Sequence, residues 1–310
     1  MPSKPKVALA LASGGARGLA HIGVIQELEA QGYTISSIAG SSIGALIGGL
    51  YAAGTMNTYA DWVKDLDKMD IFSLVDFTLG AKGFIRGEKV FKEMQKRGII
   101  PKIRIEDLQI PFASIATDIA NNKEVVFTEG DLYTAIRASV SIPNVFTPVK
   151  CNGGLLIDGG VINPLPVNRV KRFDNDILIA VDINALIPYS KPKLPKKSKK
   201  EEMLQNEKLT AIMDKWNEVK EKYFHTEQNR TKAKEEPEKK LGYFDIFTQA
   251  IQLMQDRITQ HTLERDNPDV IVRISKDAGS VFDFYKAEEL IAAGREACAK
   301  ALKECELGKQ

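Results

Sequence analysis

The first 54 residues carry the pattern that most restricts the folds open to this chain. Residues 7–12 form an unbroken apolar run followed by glycines, which is typical of a buried parallel strand. A helical spacing of apolar residues follows over 19–31, then a second short strand over 35–39 and a second helix over 43–53. Because strand and helix alternate at this spacing, we predict a parallel sheet with helices packed on it.

The rest of the chain continues to alternate strands, turns and helices. Asn121-Asn122 and Gly153-Gly154 are turn signals between predicted strands. The further predicted helices are 61–69, the end of 80–93, 133–140 and 287–304, and the further predicted strands are 111–120, 124–128, 148–149, 155–157, 177–181 and 270–274.

Composition excludes several functional classes. A chain of 310 residues with 44% apolar and 27% charged residues is ordinary for a globular protein with a large core. The formal net charge of +2 gives no reason to expect a nucleic-acid partner. Cys151, Cys298 and Cys305 lack C-x-x-C spacing, so we expect reduced thiols and neither a disulfide scaffold nor a structural zinc site.

Neither an export signal nor a membrane span is expected. The apolar run over 7–12 is shorter than a signal-peptide core, and no stretch approaches the roughly 18 apolar residues of a membrane span. We therefore expect a cytoplasmic protein, with peripheral contact to the inner membrane as a further hypothesis.

The composition changes after Pro188. Residues 191–200 contain six lysines and no acid, and a stretch rich in glutamate and lysine follows to about residue 240. Apolar residues recur at helical spacing in two stripes: Leu209, Ile212, Met213, Trp216, Val219 and Tyr223, then Phe244, Phe247, Ile251, Met254 and Ile258. One interpretation is a solvated helical hairpin packed on the core. The other is a lid or membrane-facing element, since lysines beside apolar stripes suit anionic lipid surfaces.

Gly40-Ser41-Ser42-Ile43-Gly44 is a G-x-S-x-G sequence between the second predicted strand and the second predicted helix. Such a turn exposes its serine at the end of the sheet, and the N–H groups of the helix start point at developing negative charge. Gly40 and Gly44 permit the sharp turn. The pattern favours Ser42 as a nucleophile, with Ser41 as the competing hydroxyl. The alternative is a glycine-rich turn into a buried helix.

A second glycine cluster, Ser13-Gly14-Gly15-Ala16-Arg17-Gly18, follows the first predicted strand. Ser13 breaks the G-x-G-x-x-G dinucleotide fingerprint, and the Gly-Lys-Ser/Thr of a P-loop is absent. One interpretation is an oxyanion hole beside Ser42, in which the N–H groups of Gly14 and Gly15 converge and Arg17 adds positive charge. The other is an ordinary strand-to-helix turn.

A serine nucleophile requires a base. We expect His21 to pack within a helix, His225 to lie in the charged insertion and His261 to lie on a helix surface. Asp158 instead follows the apolar run 155–157 directly and precedes Gly159 and Gly160, which permit close approach to another backbone. The pattern favours Asp158 as the base, and the alternative is a structural aspartate in a turn.

Four segments together resemble the patatin-like phospholipases, and specifically their short bacterial members. They are ALASGGARGLAHIGVI, GSSIGA, ASVSIPNVFTPV and DGGVINPLPV, and their order and spacing match the family over about residues 7–182. The resemblance implies a three-layer α/β/α fold with a mostly parallel central sheet. The helical insertion is predicted from composition and has no counterpart in the family. We therefore expect a catalytic core over 5–188, a charged amphipathic helical insertion over 189–265, and a C-terminal strand and helix over 266–310.

The resemblance also implies a mechanism without a catalytic histidine. Ser42 would be the nucleophile and Asp158 its base, and the N–H groups of Gly14, Gly15 and Ile43 would form the oxyanion hole. The implied reaction is hydrolysis of lipid acyl esters through an acyl-serine, with no metal and no cofactor. The family's glycine-rich loop usually begins with glycine, and Ser13 departs from that pattern. Backbone donors do not depend on this side chain.

Two other functions stay open at this point. The chain order Ser42, Asp158, His261 also fits a Ser–His–Asp esterase, although such a fold normally has several strands before its nucleophile. A non-catalytic lipid-binding protein of the same fold is the second alternative. In every case the expected partner is a lipid or acyl-ester molecule, and the membrane-facing interpretation of residues 189–265 adds peripheral membrane contact.

Overall fold

A computed structural model of the chain describes residues 4–74, 88–143, 145–194 and 243–307. Its centre is an eight-stranded sheet with the order β5-β6-β3-β2-β1-β7-β8, and β4 pairs with β3. The strands are β1 Lys6–Leu11, β2 Thr34–Ser41, β3 Phe112–Asp118, β4 Lys123–Phe127, β5 Val149–Cys151, β6 Gly154–Asp158, β7 Ile177–Ala185 and β8 Val270–Ser275.

Helices flank this sheet in a three-layer α/β/α arrangement. The α-helices of the described residues are α1 Leu19–Ala30, α2 Ile43–Ala52, α3 Met56–Asp65, α4 Lys68–Leu74, α5 Glu88–Lys96, α6 Leu132–Ser139, α7 Tyr243–Asp266 and α8 Ala287–Leu307. Helix α2 packs against β2 and β3, and α8 packs against both α1 and β8.

The parallel part of the sheet forms the core. β1 pairs in parallel with β2 and β7, β2 pairs in parallel with β3, and β7 pairs in parallel with β8. Every residue of β1 from Val7 to Leu11 is fully buried, so both faces of this strand are covered. The unbroken apolar run near the amino terminus therefore predicts its strand correctly.

The antiparallel part of the sheet brings a new strand to the end of β2. Residues 114–118 of β3 pair with β4, while Ile115 pairs with Ser41 of β2 and Ala116 pairs with Asp158 of β6. Because β4 occupies one edge of β3 over this whole stretch, β2 and β6 must share the other edge. Along that edge β2 runs parallel to β3 and β6 runs antiparallel to it, so their ends meet. Ser41 and Asp158 therefore oppose consecutive residues of β3, Ile115 and Ala116.

Most of the predicted elements are confirmed to within a few residues. The helix predicted over 61–69 is wrong, because the structure has α3 and α4 there, separated by the extended residue Leu66. Asp67 explains the break, since its carboxylate accepts the N–H groups of Met69 and Asp70 and so starts a new helix. The loop predicted from residue 80 lies outside the described residues, and the helix that follows it is α5.

The chain divides into two units: Met1–Pro192 with Ala250–Gln310, and Lys193–Gln249. The first predicted apolar stripe, over 209–223, and His225 lie outside the described residues. The second stripe falls on α7, but Met254 is 64% exposed while Thr259 and Thr262 are buried. Among the described side chains of this stripe, Met254 therefore lies outside the buried face of the helix. None of the described helices is both long enough and apolar enough to cross a membrane.

Candidate active site

Ser42 occupies the sharp turn between β2 and α2. Its backbone has φ 55° and ψ −122°, a conformation that L-residues rarely adopt, and Ile43 begins α2 directly afterwards. The side chain is buried with 4% exposure. The N–H of Ser42 donates to the Oγ of Ser139 at 2.9 Å. A strained residue at the end of a strand is the local geometry predicted for G-x-S-x-G.

The Ser42 hydroxyl contacts one carboxylate. Its Oγ donates to the Oδ2 of Asp158 at 2.5 Å, a short hydrogen bond between two residues that are 116 positions apart in the chain. The meeting of β2 and β6 along one edge of β3 explains this contact, because each of these two residues stands at the end of its strand. The structure thus brings together the two residues singled out in separate motifs.

Asp158 is held from three further directions. Its Oδ1 accepts the N–H of Gly160 at 2.7 Å, its N–H donates to the carbonyl of Ser141, and its carbonyl accepts the hydroxyl of Thr117. Burial raises the pKa of Asp158 from 3.8 to about 6, although the bonds from Ser42 and Gly160 oppose that rise. A carboxylate with this pKa is a stronger proton acceptor than an exposed aspartate and still ionised at neutral pH.

The glycine-rich loop after β1 lies beside this pair. Gly14 has φ 156° and Gly15 has φ 60°, both in the region that favours glycine, and a short 3-10 turn over Gly15–Gly18 leads into α1. A Cβ on Gly18 would lie 2.3 Å from the side chain of Ile43, and one on Gly160 would lie 2.6 Å from the Oγ of Ser13. The loop therefore contacts both the residue after Ser42 and the loop after Asp158.

Three backbone N–H groups near Ser42 have no acceptor among the described residues: those of Gly14, Gly15 and Ile43. The neighbouring N–H groups of Ser13 and Ala16 donate to the carbonyls of Pro164 and Val281. Unpaired N–H groups in a fixed loop and at a helix start can bind an anionic oxygen. These are the same three groups that the resemblance implies for an oxyanion hole.

Arg17 holds the glycine-rich loop in place. Its guanidinium donates to the carbonyls of Ile183 and Gly279 and to the Oδ1 of Asn184, which it reaches at 2.6 Å. Burial lowers the pKa of Arg17, while nearby Asp256 and Asp182 oppose that change. The hydrogen bonds of Arg17 in the described residues go to the ends of other elements and not to Ser42 or Asp158.

The glycines that flank the two candidate catalytic residues all stand where a side chain would collide. A Cβ on Gly40 would lie 2.3 Å from the carbonyl of Gly44, and one on Gly44 would lie 2.3 Å from the carbonyl of Leu11. A Cβ on Gly159 would lie 2.1 Å from the carbonyl of Ile115. These close approaches let the two turns meet at the edge of β3.

The histidines show no contact with this pair in the described residues. His21 is fully buried in α1, where its Nε2 donates to the carbonyl of Ala12 at 2.9 Å, as the packing interpretation predicts. The side chain of His261 is 82% exposed on α7 and lies 3.8 Å from Glu264. The side-chain oxygens of Asp158 accept from Ser42 and Gly160 instead.

Three residues at the site were missed by the sequence reasoning. Ser139 accepts the N–H of Ser42, and the side-chain amide of Asn184 donates to the carbonyl of Ser13 at 2.7 Å. Gln255 on α7 donates from Nε2 to the carbonyl of Gly160 at 2.9 Å. Asn184 had a readable signal, because it and Asp182 come directly after the apolar run predicted as a strand over 177–181. Gln255 had none, since only the fold brings α7 to this loop.

The described residues hold no group of three or more histidine, cysteine, aspartate or glutamate side chains that could bind a metal ion.

Comparisons with known proteins agree with the motifs. The family model described as patatin-like phospholipase matches residues 9–170. An uncharacterized NTE family protein of Mycobacterium tuberculosis is 34% identical, over 98% of this chain and 93% of that protein. Lysophospholipase NTE1 of Yarrowia lipolytica is 32% identical over 188 residues, which are 58% of this chain and 13% of that protein.

Among solved structures, VipD from Legionella pneumophila aligns with a TM-score of 0.44 and 11% identity, covering 98% of this chain and 67% of that chain. That likeness is too weak to establish fold or function. The family model and the relatives define the chain as a lipid acyl ester hydrolase. The chain belongs to the patatin-like phospholipase family, which confirms the resemblance found in its sequence motifs.

Proposed function

We propose that this protein hydrolyses acyl esters of lipids through a Ser42–Asp158 dyad and an acyl-serine intermediate. The observation that carries the proposal is the hydrogen bond of 2.5 Å from the Ser42 hydroxyl to the buried Asp158 carboxylate. Ester hydrolysis needs a nucleophile, a proton acceptor within reach of it, and donors for the oxyanion. The unpaired N–H groups of Gly14, Gly15 and Ile43 supply the third requirement.

Acylation begins when ionised Asp158 accepts the Ser42 proton as Oγ bonds to the ester carbonyl carbon. The negative charge then resides on the carbonyl oxygen, which the three N–H groups bind. When the tetrahedral intermediate collapses, the bond to the leaving alkoxide breaks and Asp158 returns its proton to that oxygen. The products of this half-reaction are the free alcohol and acyl-Ser42.

Deacylation repeats these steps with water. Asp158 accepts a proton from the water whose oxygen attacks the acyl carbon, and the same N–H groups bind the second oxyanion. Collapse breaks the bond to the Ser42 Oγ, which takes the proton back from Asp158. The fatty acid leaves and the resting hydrogen bond between the two side chains is restored.

The family indicates lipid acyl esters as the substrate class. We further propose that the protein meets these substrates at a membrane surface. Phospholipids reside in membranes, so an enzyme that hydrolyses them works at a lipid surface. The lysine cluster of 191–200 has the composition that attracts anionic lipid. We assign peripheral contact with the cytoplasmic face of the membrane to residues 189–265.

A panel of phospholipid, lysophospholipid and acylglycerol esters tests the dyad. Ser42→Ala and Asp158→Asn should each lower kcat by about 10⁴-fold or more. Ser41→Ala is the matched control, because it removes the neighbouring buried hydroxyl and should retain activity. A fluorophosphonate probe should label Ser42 covalently, as read by peptide mass. Hydrolysis that persists equally in both variants would reject the mechanism.

Two further results decide between the alternatives. His261→Ala should retain full esterase activity, and a loss of several orders of magnitude would favour a Ser–His–Asp triad instead. Absence of any fluorophosphonate label on Ser42, together with lipid binding, would favour a non-catalytic lipid-binding protein. The acid limb of kcat/KM should have an apparent pKa near 6, because Asp158 must be ionised to accept the proton.

A further inference from the structure

Ser139 contacts the backbone of Ser42 and takes no part in the proposed proton transfer or in oxyanion binding. It is the last residue of α6, it is fully buried, and its Oγ accepts the N–H of Ser42 at 2.9 Å. It belongs to the segment ASVSIPNVFTPV, which the family resemblance singled out without giving it a chemical role.

The conformation of Ser42 explains why its N–H needs a side-chain acceptor. The pairing of β2 with β3 ends at Ser41, and φ 55° at Ser42 turns the chain out of the strand. The N–H of Ser42 therefore cannot join the hydrogen bonds between β2 and β3. In the described part of the chain its acceptor is the Ser139 hydroxyl. A buried amide without an acceptor is unfavourable, so removing this hydroxyl would favour a different orientation of the turn.

The same short segment holds Asp158. The carbonyl of Ser141, two residues after Ser139, accepts the N–H of Asp158 at 2.9 Å. Ser141 is fixed in turn by Arg137, which donates to its hydroxyl at 2.7 Å and accepts from it through the Arg137 carbonyl. Residues 137–141 therefore bond to the backbone of both members of the proposed dyad.

We propose that Ser139 is a positioning residue, which orients Ser42 so that its hydroxyl faces both Asp158 and the substrate carbonyl. The inference rests on the proposed function of Ser42. Ser139 acts through the backbone of Ser42 and touches no reacting atom. If Ser42 is misoriented, its hydroxyl no longer donates to Asp158. Because that hydrogen bond lowers the pKa of Asp158, removing the Ser139 hydroxyl should raise this pKa.

The test compares Ser139→Ala with Ser114→Ala. Ser114 is an equally buried serine whose hydroxyl donates to the carbonyl of Ala135 at 3.1 Å, and it makes no bond to Ser42 or Asp158. Ser139→Ala should lower kcat by about 10- to 100-fold while KM changes by less than about twofold. The rate of fluorophosphonate labelling should fall by a similar factor, and the acid limb of kcat/KM should move to higher pH. Ser114→Ala should keep kcat close to that of the wild type.

A second pair of variants separates the hydroxyl from the packing. Ser139→Thr and Ser139→Val have the same shape and differ in the acceptor, so Thr should exceed Val in kcat by about tenfold or more. Equal kcat values in that pair, or wild-type kcat in Ser139→Ala, would overturn the inference. It would also be overturned if Ser139→Ala failed to fold where Ser114→Ala folds, because the hydroxyl would then be a folding requirement.

The proposed function can fail separately. If Ser42→Ala retained hydrolysis, the dyad itself would be wrong, whatever the result at Ser139. If Ser42→Ala abolished hydrolysis while Ser139→Ala behaved as wild type, the dyad would stand and only the positioning role would be lost.

Discussion

Ser42 and Asp158 lie side by side, but the fold holds them in different ways. The Ser42 side, meaning the ends of β1 and β2 and the start of α2, is held by backbone packed directly on backbone. On the Asp158 side, meaning the end of β6 and the turn at 159–163, Gly159 also packs on the Ile115 carbonyl, but Asp158 and Gly160 additionally depend on hydrogen bonds from the side chains of Thr117 and Gln255. Gly44 approaches the carbonyls of Leu11 and Ala12, whereas Gly160 lies against the side chain of Ser13 and accepts from Gln255.

The two sides should therefore tolerate different substitutions. Backbone contacts between buried strands cannot move without disturbing the core, so the Ser42 side should tolerate few substitutions. A hydrogen bond from a side chain on α7 can be removed with the sheet left intact. We therefore expect mutations on the Ser42 side to affect folding, and mutations on the Asp158 side to affect the pKa of Asp158 and the pH dependence of activity.

The largest effect is expected from Gly44→Ala. Its Cβ would lie 2.3 Å from the Leu11 carbonyl, which neither strand can easily move, so we expect the free energy of unfolding to fall by more than about 3 kcal/mol and activity to be lost. Gly160→Ala is the comparison, because the added Cβ would meet the Oγ and Cβ of Ser13, at 2.6 and 2.8 Å, and no backbone carbonyl, so we expect a smaller loss of stability. Urea unfolding of both variants measures the difference. Equal losses would refute the distinction between the two sides.

His21 should make the Ser42 side sensitive to acid. Burial lowers the pKa of His21 from 6.5 to about 4, so between these pH values the unfolded chain binds a proton that the folded protein does not. The stability that neutral His21 provides is therefore complete above pH 6.5 and is lost as pH falls to about 4, by about 3 kcal/mol.

His21→Gln tests this expectation, since glutamine can still donate to Ala12 and cannot ionise. Urea unfolding at pH 7.5 and pH 4.5 should show a smaller loss of stability in the variant than in the wild type. His261→Gln, at an exposed position on α7, should keep the wild-type pH slope. An unchanged slope in His21→Gln would show that another group causes the acid sensitivity.

Asp158 should have the opposite effect on stability over nearly the same pH range. Its pKa is raised from 3.8 to about 6, so the folded protein holds a proton that the unfolded chain has lost, and stability falls as pH rises through this window. We expect Asp158→Asn to raise the free energy of unfolding at pH 7.5 by about 2 kcal/mol, since a neutral amide avoids burying the charge.

The gain in Asp158→Asn should vanish below pH 3.8, where the wild-type carboxyl is neutral in both states. Asp61→Asn, at a side chain that is 79% exposed, is the control and should change stability little at either pH. A variant that is less stable than the wild type at pH 7.5 would contradict the expected sign.

The smallest effect is expected from Gln255→Met, which keeps the length of the side chain and removes its donor. The N–H of Gly160 lowers the pKa of Asp158, so a less firmly held Gly160 should let that pKa rise. The acid limb of kcat/KM should move to higher pH, with about a threefold loss of activity near pH 6. Gln260→Met on the same helix is the control. A limb that moves to lower pH would contradict the role of Gln255.

Much of the fold follows from local patterns in the sequence. The apolar runs and glycine turns of the first 54 residues predict β1, α1, β2 and α2, and Asn121-Asn122 predicts the β3–β4 turn, where Asn122 has φ 58°. These elements are predictable because burial on both faces and turn chemistry act on neighbouring residues. The G-x-S-x-G turn is local in the same sense, and so is an acid followed by two glycines.

Other features depend on residues that are distant in the chain. That β6 shares an edge of β3 with β2, that Ser139 accepts the N–H of Ser42, and that Gln255 reaches Gly160 all follow from strand pairing and helix placement. Local propensity cannot encode such contacts, because each depends on how separate elements are arranged. Local patterns were enough to identify the residues that could perform chemistry and the turns that present them. The contact between the Ser42 hydroxyl and the Asp158 carboxylate is visible only in the folded chain, since burial and strand pairing across more than a hundred residues set that distance.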